Sequence, residues 1–180
     1  MKFLARVIFW ITGWKIAANN AYKVKKMVTI AAPHTSNWDL LYARAAFYLM
    51  SIPVNYTVKK ELFFFPLGWL LKALGGIPID RKAKGKMVDK MAALYDDYET
   101  FSIMITPEGT RSYSPEWKKG FYYIAQKANV PIALGYLDYA KKEAGVGPLV
   151  TPTGDYEKDL ETIQAFYRNV TPKYPEQGVL

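Results

Sequence analysis

The fold of this 180-residue chain is decided by the stretch Met27–Asp39, which reads MVTIAAPHTSNWD. Its first six residues are apolar or β-branched and end at Pro33, a pattern that predicts a short buried strand. Ser36 and Asn37 are residue types that commonly cap helices, and the apolar run from Trp38 predicts a helix that begins there. The stretch therefore predicts a strand, a polar loop and a helix in succession.

The polar loop contains His34, the only histidine of the chain. Histidine titrates near neutral pH, so it can accept and return a proton within one turnover. A carboxylate on one ring nitrogen would fix the tautomer and stabilise the imidazolium. Asp39 is five residues away, which is about 140° around a helix, so the two meet only if His34 lies in the loop and Asp39 in the first helical turn. His34 is then a candidate general base; otherwise it is an ordinary surface or capping residue.

Strands and helices are predicted to alternate along the rest of the chain. Strands are predicted at 27–32, 55–59, 77–81, 101–105 and 130–137, and helices at 38–50, 87–98, 121–128 and 155–167. Lys141–Gly147 is predicted to be a charged turn and the tail from Thr171 irregular. This alternation favours a single α/β domain over residues 1–180, with a largely parallel sheet flanked by helices.

Two apolar segments bear on membrane binding. Residues 1–18 predict an amphipathic N-terminal helix, because apolar side chains recur at helical spacing with basic residues between them. Glu61–Leu74 is strongly apolar but is interrupted by Pro66, and it is shorter than the roughly 20 residues that span a bilayer. Each segment can either pack against the domain or rest on a lipid surface, and the sequence leaves both interpretations open.

The composition limits the possible partners and chemistry. A net charge of +8, from 24 Lys and Arg against 16 Asp and Glu, attracts anionic lipid, phosphorylated metabolites, nucleic acid or an acidic carrier protein. No zinc-finger or RNP-type signature is present, so nucleic acid is not an expected partner. The absence of cysteine excludes disulfides and a cysteine nucleophile and fits a reducing cytosol. One histidine argues against a zinc site.

Three polar motifs each follow a predicted strand, where open α/β sheets bind their ligands: residues 34–39, Asp80-Arg81 and Glu108–Arg111. The planar arginine side chain suits phosphate or carboxylate, and Gly109 lets the backbone approach a ligand. Glu108 can form a structural salt bridge with an arginine or accept a hydrogen bond from a substrate hydroxyl. No G-x-S-x-G elbow, phosphate loop or dinucleotide fingerprint occurs. The motifs therefore indicate a general base beside an anion-binding site.

Four motifs occur in an order that identifies a family. They are H-x₄-D at His34 and Asp39, a Gly-rich turn with Asp-Arg at Gly75–Arg81, P-E-G-T-R-S at Pro107–Ser112, and V-P-I at Val130–Ile132. With these motifs the chain resembles the PlsC-type glycerolipid acyltransferases, whose best-known members act on lysophosphatidic acid. The motif-bearing core spans residues 33–135. The resemblance implies an α/β sheet flanked by helices, with a hydrophobic groove for an acyl chain.

The resemblance also implies roles for individual residues. His34 would be the general base and Asp39 its orienting partner. The deprotonated acceptor hydroxyl would attack the thioester of acyl-CoA or acyl-carrier protein directly, with no acyl-enzyme and with no metal or other cofactor. The acceptor phosphate would be bound by residues of the second and third motifs, namely Arg81, Glu108, Gly109, Thr110 and Arg111. Lys60, which lies outside these motifs, would assist.

We therefore expect an acyltransferase that converts 1-acyl-glycerol-3-phosphate to phosphatidic acid at the cytoplasmic face of a membrane, bound as a peripheral or monotopic protein. Its partners would be the lipid surface, the lysophospholipid and the acyl donor, with acyl-carrier protein as one possible donor. Three alternatives stay open. The acceptor can be another lysolipid, such as a lyso-amino-acid lipid; the same base can activate water in a thioesterase; or the chain can be a non-catalytic lipid- or anion-binding module.

Overall fold

The computed structural model describes residues 1–79, 87–114 and 116–178, and within them helices and strands alternate from β2 to β6, as predicted for that part of the chain. The helices are α1 Lys2–Thr12, α2 Trp38–Met50, α3 Leu67–Ala73, α4 Met87–Asp97, α5 Gly120–Lys127 and α6 Tyr156–Tyr167. The strands are β1 Lys15–Asn19, β2 Lys26–Ala31, β3 Asn55–Lys59, β4 Gly76–Ile79, β5 Phe101–Ile105, β6 Ile132–Asp138 and β7 Glu143–Val150. Short 3₁₀ turns lie at Lys60–Leu62 and Pro175–Gln177.

The seven strands form one sheet in the order β1-β7-β6-β2-β5-β3-β4. Neighbouring strands from β6 to β4 are parallel, and the hairpin partners β6 and β7 are antiparallel. Because β1 is parallel to β7, these two strands run opposite to the other five. The sheet is thus largely parallel, and the predicted α/β class is confirmed.

The central strand β2 separates two apolar cores. Val28 and Ile30 belong to a core that includes buried side chains of α4, α5 and α6, whereas Met27 belongs to a core shared with α1 and α2. The buried hydroxyl of Thr29 is paired with that of Ser102, at 2.6 Å. Helices therefore cover both faces of the sheet, and the carboxyl ends of β2 and β5 meet at one edge.

The N-terminal helix is shorter than predicted. It ends at Thr12 instead of continuing to residue 18, because Gly13 adopts a left-handed conformation with φ of 75°, which ends a helix. Lys15–Asn19 then pairs with β7 as the edge strand β1. Its short run of lysine, alanine and asparagine carries little strand signal, so the sequence did not predict it.

The predicted turn at Lys141–Gly147 is confirmed only for Lys141 and Lys142 and is wrong from Glu143 onward, because Glu143–Val150 forms strand β7. Two glycines concealed this strand in the sequence, since glycine is depleted in strands. A Cβ atom at Gly145 would lie 2.6 Å from the carbonyl oxygen of Ala18, and one at Gly147 would overlap the ring of Phe166. The glycines therefore allow close packing of β7 against its neighbours.

The apolar segment after β3 is exposed rather than buried in a core. Phe65 is 91% exposed and Trp69 is 74% exposed, and α3 contributes only Gly68 to the buried residues. Pro66 precedes α3, where the helix begins only at Leu67. Across the described ranges, no helix combines the length and the apolar character that crossing a bilayer requires. Of the predicted strand at 77–81, residues 77–79 belong to β4, and residues 80 and 81 lie outside the described residues.

Candidate active site

The structure brings His34 and Asp39 together at the carboxyl end of β2. His34 lies in the loop between β2 and α2, and Asp39 lies in the first turn of α2. Nδ1 of His34 is 2.9 Å from Oδ2 of Asp39. An ionised carboxylate only accepts hydrogen bonds, so neutral His34 carries its proton on Nδ1 and leaves Nε2 as the proton acceptor.

The carboxylate of Asp39 also organises the loop. Its Oδ2 accepts hydrogen bonds from the backbone amides of Thr35 and Ser36, at 3.1 and 3.0 Å. Burial opposes the charge of Asp39, but hydrogen bonds from His34, from the Tyr139 hydroxyl and from the Ser36 amide outweigh burial and lower the carboxyl pKa. Asp39 is therefore ionised at neutral pH and available to stabilise an imidazolium on His34.

Glu108 supports the same loop from the end of β5. Its Oε2 accepts the backbone amide hydrogen of His34 at 2.8 Å, and the residue is 4% exposed. Burial raises the pKa of Glu108 to about 7, the amide and the charge of His34 oppose that rise, and the charge of Asp39 adds to it. Among the residues that the structure describes, the partner of the Glu108 carboxylate is thus the His34 backbone, and Glu108 does not line the cavity described next.

A cavity of about 550 Å³ opens beside His34, within the usual range for ligand pockets. One part of its wall is polar and includes His34, Arg111 and Lys118. The rest runs between α2 and the sheet and is largely apolar, with Leu40, Ala43, Ala46, Phe47, Met50 and Met104 in its wall. The arrangement joins a proton acceptor, two cations and an apolar channel.

The predicted anion-binding residues are divided between the cavity and its surroundings. Gly109 and Arg111 line the cavity. Thr110 does not, and its hydroxyl accepts the Ser112 amide hydrogen at 3.2 Å. Lys60 lies in the exposed 3₁₀ turn after β3 and also does not line the cavity. Arg81 lies outside the described residues.

Lys118 is a cavity residue that the sequence did not single out. Its backbone amide donates to the carbonyl of Pro107 at 2.8 Å, which folds residue 118 back onto the loop after β5. Gly109 has a φ of 68°, and its missing side chain leaves the space that the Lys118 side chain occupies. The only trace of this contact in the sequence is a glycine in the P-E-G-T-R-S motif with the pair Lys118-Lys119 nine residues later.

The C-terminal tail ties the two loops of the site together. The Tyr174 amide donates to the Thr35 hydroxyl at 3.2 Å. In the orientation of the Gln177 amide that places its nitrogen toward the backbone carbonyls of Arg111 and Thr35, the nitrogen donates to both oxygens, at 2.8 and 3.2 Å. In the part of the chain that the structure describes, no three acidic or histidine side chains converge as a metal site requires.

Comparison with known proteins defines the class. A family model described as Acyltransferase matches residues 15–133, which is more than half of the chain. The chain therefore belongs to the acyltransferase family, whose members transfer acyl groups, and the prediction of an acyltransferase is confirmed. None of the curated proteins compared with the chain matches it significantly.

A solved structure shares the fold. It is the 1-acyl-sn-glycerophosphate (LPA) acyltransferase PlsC from Thermotoga maritima, which is 19% identical to this chain with a TM-score of 0.60. The match covers 92% of this chain and 74% of that protein. At this level of identity the match establishes a common architecture.

Proposed function

We propose that this acyltransferase moves a fatty acyl group from a thioester donor to the free hydroxyl of 1-acyl-glycerol-3-phosphate, giving phosphatidic acid. The observation that carries the proposal is the His34–Asp39 pair at the polar part of an otherwise apolar cavity. A base beside two cations and an apolar channel matches an acceptor that has a hydroxyl, a phosphate and a hydrocarbon chain.

The proposed reaction needs no acyl-enzyme. Nε2 of His34 removes the proton of the acceptor hydroxyl, and Asp39 stabilises the imidazolium through its hydrogen bond with Nδ1. The acceptor oxygen attacks the carbonyl carbon of the thioester, and the carbon–sulfur bond breaks. The departing thiolate takes the proton from His34, so the products are an ester and a free thiol.

Charge supports a phosphate-bearing acceptor. Arg111 and Lys118 line the cavity beside Gly109, and their positive charges would bind a phosphate within reach of His34. The predicted contributions of Lys60, Arg81, Glu108 and Thr110 stay predictions. For Glu108 we propose that it holds the His34 loop through the backbone, since it pairs with that amide.

The exposed apolar residues support binding to a membrane surface. Phe65 and Trp69 flank the beginning of α3, and Trp10 of α1 is 83% exposed. With a net charge of +8, the protein would be attracted to an anionic lipid surface that also contains the acceptor. We propose a peripheral or monotopic protein at the cytoplasmic face, with acyl-CoA or acyl-carrier protein as donor and no other cofactor.

Thiol release tests the proposal. The wild type and His34→Ala are each given palmitoyl-CoA or palmitoyl-carrier protein, with lysophosphatidic acid, with a lyso-amino-acid lipid, or with no acceptor. Release that requires lysophosphatidic acid and is lost in the variant is the expected result. Release that requires the other lipid would change the acceptor, release without any acceptor would indicate a thioesterase, and no release with any pair would contradict the proposed reaction.

A further inference from the structure

The second carboxylate oxygen of Asp39 is occupied by a residue from a distant part of the chain. Oδ2 accepts from His34, Thr35 and Ser36, whereas Oδ1 accepts the hydroxyl hydrogen of Tyr139 at 2.6 Å. Burial, first, and the hydrogen bond to Asp39 raise the pKa of Tyr139 far above its ordinary value. The phenol therefore stays protonated at neutral pH and donates to the carboxylate.

The ring of Tyr139 is fixed by aromatic neighbours. Trp14 lies edge-on to it at 4.9 Å between ring centroids, and Tyr42 lies edge-on at 6.1 Å. Trp14 and Tyr42 are themselves stacked at 4.7 Å. Edge-to-face packing in this distance range is favourable, so the cluster holds the phenol in one orientation.

The backbone of Tyr139 is held as well. Its amide donates to the carbonyl of Thr171 at 2.8 Å, which anchors the residue to the C-terminal tail. Asp138 accepts the Lys141 amide at 3.1 Å and the Lys141 ammonium at 3.0 Å, which closes the turn between β6 and β7. The hydroxyl is thus presented to Asp39 from a turn with fixed ends.

We propose that Tyr139 is a positioning residue for the general base: by holding Oδ1 of Asp39, it keeps Oδ2 on Nδ1 of His34 and the ring in the tautomer with Nε2 unprotonated. The proposal rests on the proposed function, because that tautomer is the one able to accept a proton from the acceptor. A carboxylate held through one oxygen alone is free to turn about its Cβ–Cγ bond, and partial rotation lengthens the contact between Oδ2 and Nδ1 and weakens the preference for that tautomer. Tyr139 restricts this rotation from outside the cavity wall.

The single histidine allows a direct test that does not depend on activity. The ¹⁵N chemical shifts of the two ring nitrogens give the tautomer ratio of neutral His34, defined as the Nδ1-protonated form over the Nε2-protonated form. It is measured in the wild type, in Tyr139→Phe and in Tyr42→Phe. Tyr42→Phe is the matched control, because it removes a hydroxyl from the same aromatic cluster without removing a bond to Asp39. We expect the ratio to fall about tenfold in Tyr139→Phe, the scale of one lost hydrogen bond to a charged group, and to stay unchanged in Tyr42→Phe.

Kinetics provide the second measurement. Tyr139→Phe is expected to lower kcat about tenfold with the acceptor KM within about twofold, because it alters the base and not the binding groups. In an Asp39→Asn background the same substitution is expected to change neither kcat nor the tautomer ratio, since the residue acts through Asp39.

Two results would overturn the assignment. One is a tautomer ratio in Tyr139→Phe that equals the wild-type ratio. The other is an equal decrease in kcat when Tyr139→Phe is made in the wild type and in Asp39→Asn, which would indicate general destabilisation. Failure of the proposed function is distinguishable from either. In that case the wild type transfers no acyl group, while the tautomer ratio still responds to Tyr139→Phe and not to Tyr42→Phe.

Discussion

At the scale of single residues, the site depends on one ionised carboxylate. Asp39 holds the His34 ring and two loop amides, so in the proposed reaction Asp39→Asn removes the charge that stabilises the imidazolium and favours the tautomer with Nε2 protonated. We expect kcat to fall by roughly 10³- to 10⁴-fold, as for other histidine–aspartate pairs. Steady-state assays with saturating donor and acceptor measure this loss.

Asp159→Asn is the control for that substitution. Asp159 is also buried and also accepts a tyrosine hydroxyl and a backbone amide, from Tyr122 and Thr153. It belongs to α6, on the other face of the sheet, so its loss should lower stability and leave kcat of the folded enzyme near the wild-type value. A loss of kcat below tenfold in Asp39→Asn would contradict the role assigned to Asp39.

Glu108 gives a pH prediction at the same scale. Its pKa is about 7 in the folded chain against an ordinary value of 4.5, so the folded state binds the proton more tightly. The resulting stability is fully present below pH 4.5 and is lost as the pH rises through about 7. Between pH 5 and 8 the wild type should lose about 2 kcal/mol more free energy of unfolding than Glu108→Gln.

Urea unfolding at pH 5 and pH 8 measures this difference. Glu161→Gln is the control, because Glu161 is exposed on α6 and its neutralisation should leave the pH dependence of the wild type intact. If the free energy of unfolding changed equally between pH 5 and pH 8 in Glu108→Gln and in the wild type, the raised pKa of Glu108 would be contradicted.

Residues differ in how far the sequence could predict their place in the site. His34 and Asp39 are close along the chain, so loop and capping signals were enough to bring them together. Tyr139 contacts Asp39 across 100 positions, and nothing local marks a tyrosine in a hairpin as a partner of a carboxylate. The hydrogen bond between Glu108 and the His34 backbone amide could not be predicted from the sequence, because a backbone amide is present at every residue except proline.

At the scale of elements, those defined by neighbouring residues were predicted from the sequence, and those that depend on pairing with distant strands were not. The bounds of α2 agree with the prediction, because local features define them: the Ser36 hydroxyl accepts the Trp38 amide hydrogen at 3.2 Å, and an apolar run follows. Strands β1 and β7 were missed, because their residues become strands only through pairing with each other and with β6. Such pairing is a property of the sheet and overrides weak local propensity.

The loop between β5 and α5 gives the prediction at this scale. It brings Lys118 into the cavity wall, so Lys118→Ala should raise the acceptor KM roughly tenfold or more through a lost charged contact to phosphate. Lys119→Ala is the matched control, since the Lys119 ammonium lies 3.1 Å from Glu157 on the surface. Acceptor titrations compare the two variants, and equal KM values would exclude Lys118 from acceptor binding.

At the scale of the whole molecule, charge and apolar surface together favour a lipid interface. Helix α1 packs Ala5 and Phe9 against the domain, yet Phe3 and Trp10 on the same helix remain exposed. Large apolar side chains are similarly exposed around α3. Their exposure in water is unfavourable, and a bilayer surface would cover them while leaving the sheet and its two cores unchanged.

Vesicle binding tests this interpretation for the whole protein. We expect stronger cosedimentation with vesicles containing phosphatidylglycerol than with phosphatidylcholine alone, and we expect added salt to reduce the difference, because it screens the charge of +8. Replacing Phe65 and Trp69 together by serine should weaken binding at least tenfold, since each apolar side chain buried in lipid contributes about 1 kcal/mol or more. Tyr22, which lies between β1 and β2 and is 68% exposed, provides the control, and Tyr22→Ser should bind as the wild type does. Wild-type binding by the double variant would instead assign these aromatic residues to another role.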